Sequence, residues 1–231
     1  MGSKASVVIS QNPRPDTGGE RLERQLTLAL GKRSELAVTV VPHLYDLSAD
    51  GPGMQALRRA GGDLIVFCWL YPRAAYWLLN ANGVAGSLGR TSSFREEAID
   101  EYSAERSFER TIWCFDLRHP GRLESYLDEV DAILKARREA AGAVADRLDI
   151  RWERIEEPTE ARWYPVIDYS RCGGCRECLN YCVFSVFGLD PSDHLVVKDR
   201  DACRPECREC LHRCASNAIL FPDLQHGGRM A

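Results

Sequence analysis

Eight of the ten cysteines in this 231-residue chain stand in two compact runs near its carboxyl end. The first run, RCGGCRECLNYC, contains Cys172, Cys175, Cys178 and Cys182. The second run, CRPECRECLHRC, contains Cys203, Cys207, Cys210 and Cys214. Cysteines clustered this densely indicate either a disulfide framework or a metal centre, so the choice between the two limits what the chain can fold into.

The rest of the chain favours the metal centre. The amino terminus, MGSKASVVIS, lacks the apolar core and cleavage site of a secretory signal and has no twin-arginine pair, so we expect a cytoplasmic protein. In a reducing compartment, clustered cysteines are more often metal ligands than disulfides. No apolar run approaches the roughly 20 residues of a membrane-spanning helix. The formal charge of -4 is too small to indicate a nucleic-acid partner.

The spacing within each run suits an iron–sulfide cube. Such a cube needs four thiolates aimed at its corners. One tight loop with two-residue gaps can supply three of them, and the fourth must come from elsewhere in the chain. The segment from about residue 163 to 223 resembles a bacterial-type ferredoxin domain with two [4Fe–4S] clusters. Each half of this segment has a short strand, a cysteine run, a short helix and an apolar tail.

The resemblance implies two sets of ligands, because in that family the fourth cysteine of each run binds the other cluster. One cluster would be held by Cys172, Cys175, Cys178 and Cys214. The second would be held by Cys182, Cys203, Cys207 and Cys210. This exchange would tie the two halves together, so neither half is expected to fold without its cluster.

Two features depart from the family pattern. The proline that usually follows each fourth cysteine is replaced by Val183 and Ala215. The second run also opens with a gap of three residues that includes Pro205, which predicts a small bulge and an altered potential for the second cluster. Structural zinc is the alternative, although four-cysteine zinc sites usually use two separated C-x2-C pairs. His212 is interpreted as a surface residue of a short helix.

The first part of the chain alternates strand and helix patterns. Strands are predicted at 5–10, 36–41, 63–70 and 111–117, with a long amphipathic helix over 122–148. This order predicts an α/β domain with a parallel sheet and flanking helices over residues 1–157, followed by a small α+β ferredoxin-like domain over 158–231. The polar stretch 156–165, with two prolines, is interpreted as a linker.

The α/β pattern resembles half of the class II chelatases, which insert metals into sirohydrochlorin-type tetrapyrroles. Those enzymes carry a metal-binding histidine after the first strand, whereas this chain has SQNPRPD there, and LYPRAAYW replaces a second expected histidine. A flavodoxin-like fold fits the strand order equally well. The two buried cysteines, Cys68 and Cys114, are interpreted as inert thiols, with a redox pair as the alternative.

Three arginines follow strands of the predicted sheet. They are Arg14, Arg73 and Arg118. Because the carboxyl ends of parallel strands share one edge, these arginines could form a rim that binds a small anionic ligand. The alternative is that they are separate arginines paired with local acids such as Asp116. Nearby aromatic residues, including Trp69 and Trp77, could line a pocket or pack between the two domains.

Three functions are compatible with these features. The first is electron transfer, in which two clusters relay single electrons to or from a larger oxidoreductase that the α/β domain docks. The second is a reductase or chelatase-like enzyme that binds an anionic or tetrapyrrole ligand. The third is an iron–sulfur sensor or assembly factor.

Overall fold

A computed structural model describes residues 5–14, 17–93, 108, 110–118, 121–141 and 152–221 of the chain. The predicted end of the long helix, after residue 141, lies outside these residues. The first part contains six strands, four α-helices and a short 3-10 helix among the described residues. In chain order they are β1 (Ala5–Ser10), α1 (Thr17–Leu30), β2 (Leu36–Val41), a 3-10 helix (Leu44–Asp46), α2 (Pro52–Arg59), β3 (Leu64–Cys68), α3 (Pro72–Ala81), β4 (Ser87–Gly89), β5 (Thr111–Asp116), α4 (Leu123–Ala141) and β6 (Trp152–Arg154).

The six strands form one parallel sheet in the order β4-β5-β3-β1-β2-β6. Its central strands are continuously apolar because both faces of the sheet are covered. Alternate residues of β3 divide between two cores: Ile65 and Phe67 join the core under α1 and α4, whereas Leu64 and Val66 join the core under α2 and α3. The predicted α/β architecture with a parallel sheet is therefore confirmed.

The cysteine-rich part is built from smaller elements. They are β7 (Val166–Ile167), α5 (Glu177–Tyr181), β8 (Phe187–Leu189), β9 (Leu195–Val197), α6 (Glu209–Arg213) and β10 (Ile219–Leu220). β7 pairs with β10 and β8 pairs with β9, both antiparallel. Their apolar side chains, among them Ile167, Phe187 and Ile219, form a third core. Six of the eight clustered cysteines belong to this core or pack against it.

The two parts are packed directly against each other. Tyr164 is 2% exposed and belongs to the same core as Leu44 and Tyr45 of the 3-10 helix. Its ring stacks on that of Tyr45 at a centroid distance of 4.4 Å, and its N–H donates to the Tyr45 hydroxyl at 2.6 Å. Residues 156–165, which the sequence predicts as a linker, have no helix or strand but are attached to the α/β part at Tyr164.

The carboxylate of Glu157 fastens the same stretch a second time. It accepts hydrogen bonds from the backbone N–H of Gly53 in the first turn of α2 (2.7 Å) and from that of Ser48 in the preceding loop (3.1 Å). A negative charge is favourable at a helix amino terminus, where N–H groups have no partner within the helix. None of the helices in the described ranges is both long and apolar enough to cross a membrane.

Candidate metal centre

The two cysteine runs fold into loops of the same design. Cys178 lies inside α5 and Cys210 inside α6, and each helix ends one residue before the last cysteine of its run. The carbonyl of Cys182 then accepts a hydrogen bond from the N–H of Ser185, and the carbonyl of Cys214 accepts one from Asn217. Ser185 and Asn217 both have a positive φ, 57° and 51°. The chain therefore turns in the same way after each run.

The extra residue between the first two cysteines of the second run lies before a turn that both loops have. Gly174 and Glu206 directly precede the second cysteine of their runs and have φ values of 70° and 64°. The additional residue consequently lies in the stretch between Cys203 and Glu206, which includes Pro205. The residue after the second cysteine differs, because Arg176 is left-handed at φ 61° whereas Arg208 has φ -134°.

The thiols of the first predicted set are electrostatic neighbours. The pKa of Cys178 is raised to about 11, chiefly by burial and in smaller part by negative charge on Cys172, Cys214 and Cys175. Cys214 belongs to the second run, yet it acts on Cys178 together with two cysteines of the first run. The sulfur of Cys214 also accepts a hydrogen bond from the N–H of Ala218 at 3.2 Å, which fixes its position.

The thiols of the second predicted set are neighbours in the same way. Burial raises the pKa of Cys203 to about 11, with further contributions from Cys207 and Cys182. Burial also raises the pKa of Cys210, followed by contributions from Cys203, Cys178, Cys182 and Cys207. Cys182 of the first run thus lies with three cysteines of the second. The contribution of Cys178 to Cys210 marks where the two sets come nearest each other.

The second set lines a cavity of about 440 Å³. Its wall contains all four thiols of the set, and apolar side chains such as Val183, Phe184 and Phe187 complete it. A soft, thiol-lined and mostly apolar cavity suits an iron–sulfur group. Thiols with a raised pKa are protonated at neutral pH, so iron must displace their protons. Within the described parts of the chain, no three His, Cys, Asp or Glu residues surround a point as ligands of one metal ion would.

Trp163 supports the second loop, and its role could not be read from the sequence. Its indole Nε1 donates a hydrogen bond to the carbonyl oxygen of Cys207 at 2.9 Å. The ring stacks on Phe221 at a centroid distance of 4.9 Å, and the guanidinium of Arg208 lies 5.3 Å from its centre. The residue stands in the predicted linker, where a tryptophan gives no signal of which loop it contacts.

A buried ion pair supports the first loop. Asp168 is 0% exposed, and its carboxylate pairs with the guanidinium of Arg73 in α3. The other carboxylate oxygen accepts a hydrogen bond from the N–H of Ser170 at 2.8 Å, and the Asp168 carbonyl accepts one from the N–H of Cys172 at 3.0 Å. The α/β part therefore reaches the base of the first cysteine loop through one arginine.

The three arginines of the predicted anion rim have different surroundings. Arg73 is buried against Asp168, as just described. Arg118 forms two hydrogen bonds with Asp116, at 3.0 and 2.7 Å, and lies over the ring of Tyr71. Arg14 is exposed, and its backbone N–H donates to Asn12. Two of the three charges are thus already compensated, and an anion rim stays a prediction.

The indole of Trp69, which directly follows β3, packs against the beginning of α1. Its Nε1 donates to the carboxylate of Glu23 at 2.7 Å, and a Cβ added at Gly19 would come within 2.9 Å of its ring. Cys68 and Cys114 face the core under α2 and α3, and burial raises the pKa of Cys68 to about 12. Their burial agrees with the interpretation as inert thiols.

Comparisons with known proteins point to one family. The chain is 40% identical over 62 residues to an uncharacterized ferredoxin of Methanocaldococcus jannaschii, a match that covers 26% of this chain and 42% of that relative. It is 37% identical over 59 residues to a ferredoxin of Methanothermococcus thermolithotrophicus, a match that covers 25% of this chain and 95% of that relative. No family model matches the chain. No solved structure matches it either.

These matches cover about a quarter of the chain, and the chain spans less than half of the length of the M. jannaschii ferredoxin. The resemblance of the α/β part to chelatases receives no support from them. Both matches are about as long as the cysteine-rich segment, and the second includes nearly the whole of a ferredoxin. Over about a quarter of its length, the chain therefore belongs to the ferredoxin family.

Proposed function

We propose that this chain is an electron-transfer protein whose cysteine-rich part holds two [4Fe–4S] clusters. The observation that carries the proposal is a thiol-lined cavity whose wall takes Cys203, Cys207 and Cys210 from the second run and Cys182 from the first. The thiols that act on Cys178 support the same division, since they are Cys172 and Cys175 of the first run and Cys214 of the second. Each cluster, when bound, would accept and return one electron.

The cysteines would divide as the family resemblance implies. Cys172, Cys175, Cys178 and Cys214 would hold the first cluster. Cys182, Cys203, Cys207 and Cys210 would hold the second, in the cavity that they line. The contribution of Cys178 to the pKa of Cys210 supports a short path between the two clusters. Two clusters so arranged form a relay.

The α/β part would present this relay to a larger oxidoreductase. Its contacts with the cysteine-rich part are a shared core and the buried pair of Arg73 and Asp168, which favour one fixed arrangement over a loose tether. Catalysis by the α/β part has less support, because Arg73 and Arg118 are engaged with carboxylates and Trp69 is hydrogen-bonded to Glu23. The partner would therefore supply the reaction that the electrons drive.

Pairs of cysteine substitutions test how the ligands divide. The double variant Cys182→Ala with Cys203→Ala removes two ligands of the second cluster, so about four irons per chain should remain. The double variant Cys172→Ala with Cys182→Ala removes one ligand from each cluster, so iron binding should fall well below four. Both proteins lose two cysteines, which makes them matched controls. Circular dichroism of each full-length variant verifies that its α/β part is folded.

The opposite ranking of the two double variants would contradict the exchange of fourth cysteines. If each run held its own cluster, Cys172→Ala with Cys182→Ala would retain about four irons and the other pair would lose both clusters. Zinc in place of iron in the wild-type chain would contradict the proposed function as a whole.

A further inference from the structure

The two cysteine loops carry an arginine at the same position, directly after the second cysteine, but the two side chains differ in their surroundings. Arg176 pairs with Asp193 at 2.5 Å, and both side chains are open to solvent, 40% and 69% exposed. Arg208 has no carboxylate partner among the described residues, and its Nε is buried without a hydrogen-bond acceptor. The first loop thus has a neutralised arginine where the second has an uncompensated one.

Trp163 fixes the position of the uncompensated charge. The Arg208 guanidinium lies 5.3 Å from the centre of the Trp163 ring, and the same ring donates a hydrogen bond to the carbonyl of Cys207. Stacking on Phe221 keeps the indole in place. The cation is therefore one aromatic ring away from the loop that carries Cys203 and Cys207. Because the Nε of Arg208 is shielded from solvent and has no acceptor, a negative group beside this partly buried cation would be stabilised.

Other arginines near the two loops do not offset this difference. Arg204 and Arg213 of the second run are exposed, so solvent and salt screen their charges. Beside the first run, Arg73 is compensated by the buried carboxylate of Asp168, and Arg171 already has an interaction partner. Arg208 is the arginine that combines a buried nitrogen with the absence of a carboxylate among the described residues.

We infer that Arg208 holds the second cluster at a higher reduction potential than the first. Reduction adds one negative charge, and a partly buried positive charge held next to the loop stabilises the reduced form. One electron from an external one-electron reductant would then reside at the set Cys182, Cys203, Cys207 and Cys210, and the donor would be oxidised by one electron. No bond is formed or broken. The inference rests on the proposed function and adds which of the two clusters is reduced first.

Potentiometric titration of the full, cluster-loaded chain with dithionite tests this inference, with the reduced clusters followed by electron paramagnetic resonance. The wild-type chain should show two separate one-electron steps. Arg208→Met should lower the potential of the upper step by about 59 mV, which is a tenfold change in the one-electron reduction equilibrium. The potential of the lower step should not change. Arg208→Lys should restore most of the loss, because it keeps the charge.

Arg176→Met is the matched control, because it removes the equivalent arginine from the first loop. Its pair with Asp193 is exposed, so we expect a smaller shift that disappears in 0.5 M salt, whereas the Arg208→Met shift should persist. A shift for Arg176→Met as large as that for Arg208→Met would overturn the inference.

An unchanged upper step in an Arg208→Met protein that retains its full iron content would overturn the inference as well. If Arg208→Met loses iron, Arg208→Gln is compared with Arg208→Lys, and equal potentials in those two variants would refute a role for the charge. Absence of two iron–sulfur clusters from the wild-type chain would instead contradict the proposed function. Iron content therefore separates the two failures.

Discussion

The imidazole of His43 is buried at the carboxyl edge of the sheet with half of its hydrogen-bonding capacity unused. Its Nδ1 lies 3.3 Å from the carbonyl oxygen of Gln11, whereas its Nε2 is buried without a partner. Burial lowers the pKa of His43 to about 4, and the contact with Gln11 offsets only part of that effect. The ring is therefore neutral at pH 7, and charging it would place an unpaired cation in the interior.

His43 makes the fold sensitive to acid. Its folded pKa lies below the value of 6.5 in the unfolded chain, so between these values the unfolded chain binds more protons. Stability from this residue is present above pH 6.5 and is lost as the pH falls towards 4. From pH 7 to pH 5 the loss should be about 2 kcal/mol in the free energy of unfolding.

Denaturant unfolding of the wild-type chain and of His43→Asn at pH 7 and pH 5 measures this contribution. The wild type should lose about 2 kcal/mol more than the variant between the two pH values. Glu23 and Asp63, whose pKa values burial raises, contribute with the opposite sign, but they are present in both proteins and cancel in the difference. Identical pH dependence of the two proteins would contradict the assignment.

At the scale of elements, the long buried strands could be predicted and the short edge strands could not. The observed bounds of β1 and β2 match the predicted runs 5–10 and 36–41, because continuous apolar and β-branched residues indicate a strand covered on both faces. β4 (SLG) and β6 (WER) have three residues each and lie at the sheet edges. An edge strand pairs with only one neighbour, so its sequence needs little of the apolar, β-branched pattern that identifies a buried strand.

In the candidate site, too, features set by neighbouring residues could be predicted, and features set by residues distant in the chain could not. Spacing within the runs predicts the eight cysteines as ligands, because ligands that come from one loop must converge locally. The supports of the loops could not be predicted, since Trp163 and Arg73 reach them from other parts of the chain. The contrast between Arg176 and Arg208 was equally hidden, because it depends on which carboxylate each side chain meets.

The connection between α3 and the first cysteine loop can be tested by substitution. Arg73→Met leaves the buried carboxylate of Asp168 without its counter-charge, which should lower the free energy of unfolding by about 3–5 kcal/mol. Arg33→Met removes an arginine from the exposed pair with Asp131 and should cost under about 1 kcal/mol. Denaturant unfolding of the full chain compares the two variants, and equally small losses would show that the buried pair does not join the parts.

At the scale of the whole molecule, the cysteine-rich part and the α/β part share one hydrophobic core. Val166 and Leu220 of the pair β7–β10 lie in the same cluster as residues of α2 and α3, and Trp77 meets Tyr169 edge-to-face at a centroid distance of 5.6 Å. The shared core holds the ferredoxin-like segment directly against the α/β part. Under the proposed function, the α/β part would orient the redox centre that this segment would hold.

Iron and acid-labile sulfide, counted per chain in full-length protein purified without oxygen, test the central claim most directly. Two [4Fe–4S] clusters predict about eight irons and about eight sulfides per chain, with no zinc. Stoichiometric zinc, or about four irons in a chain with all its cysteines intact, would contradict the account.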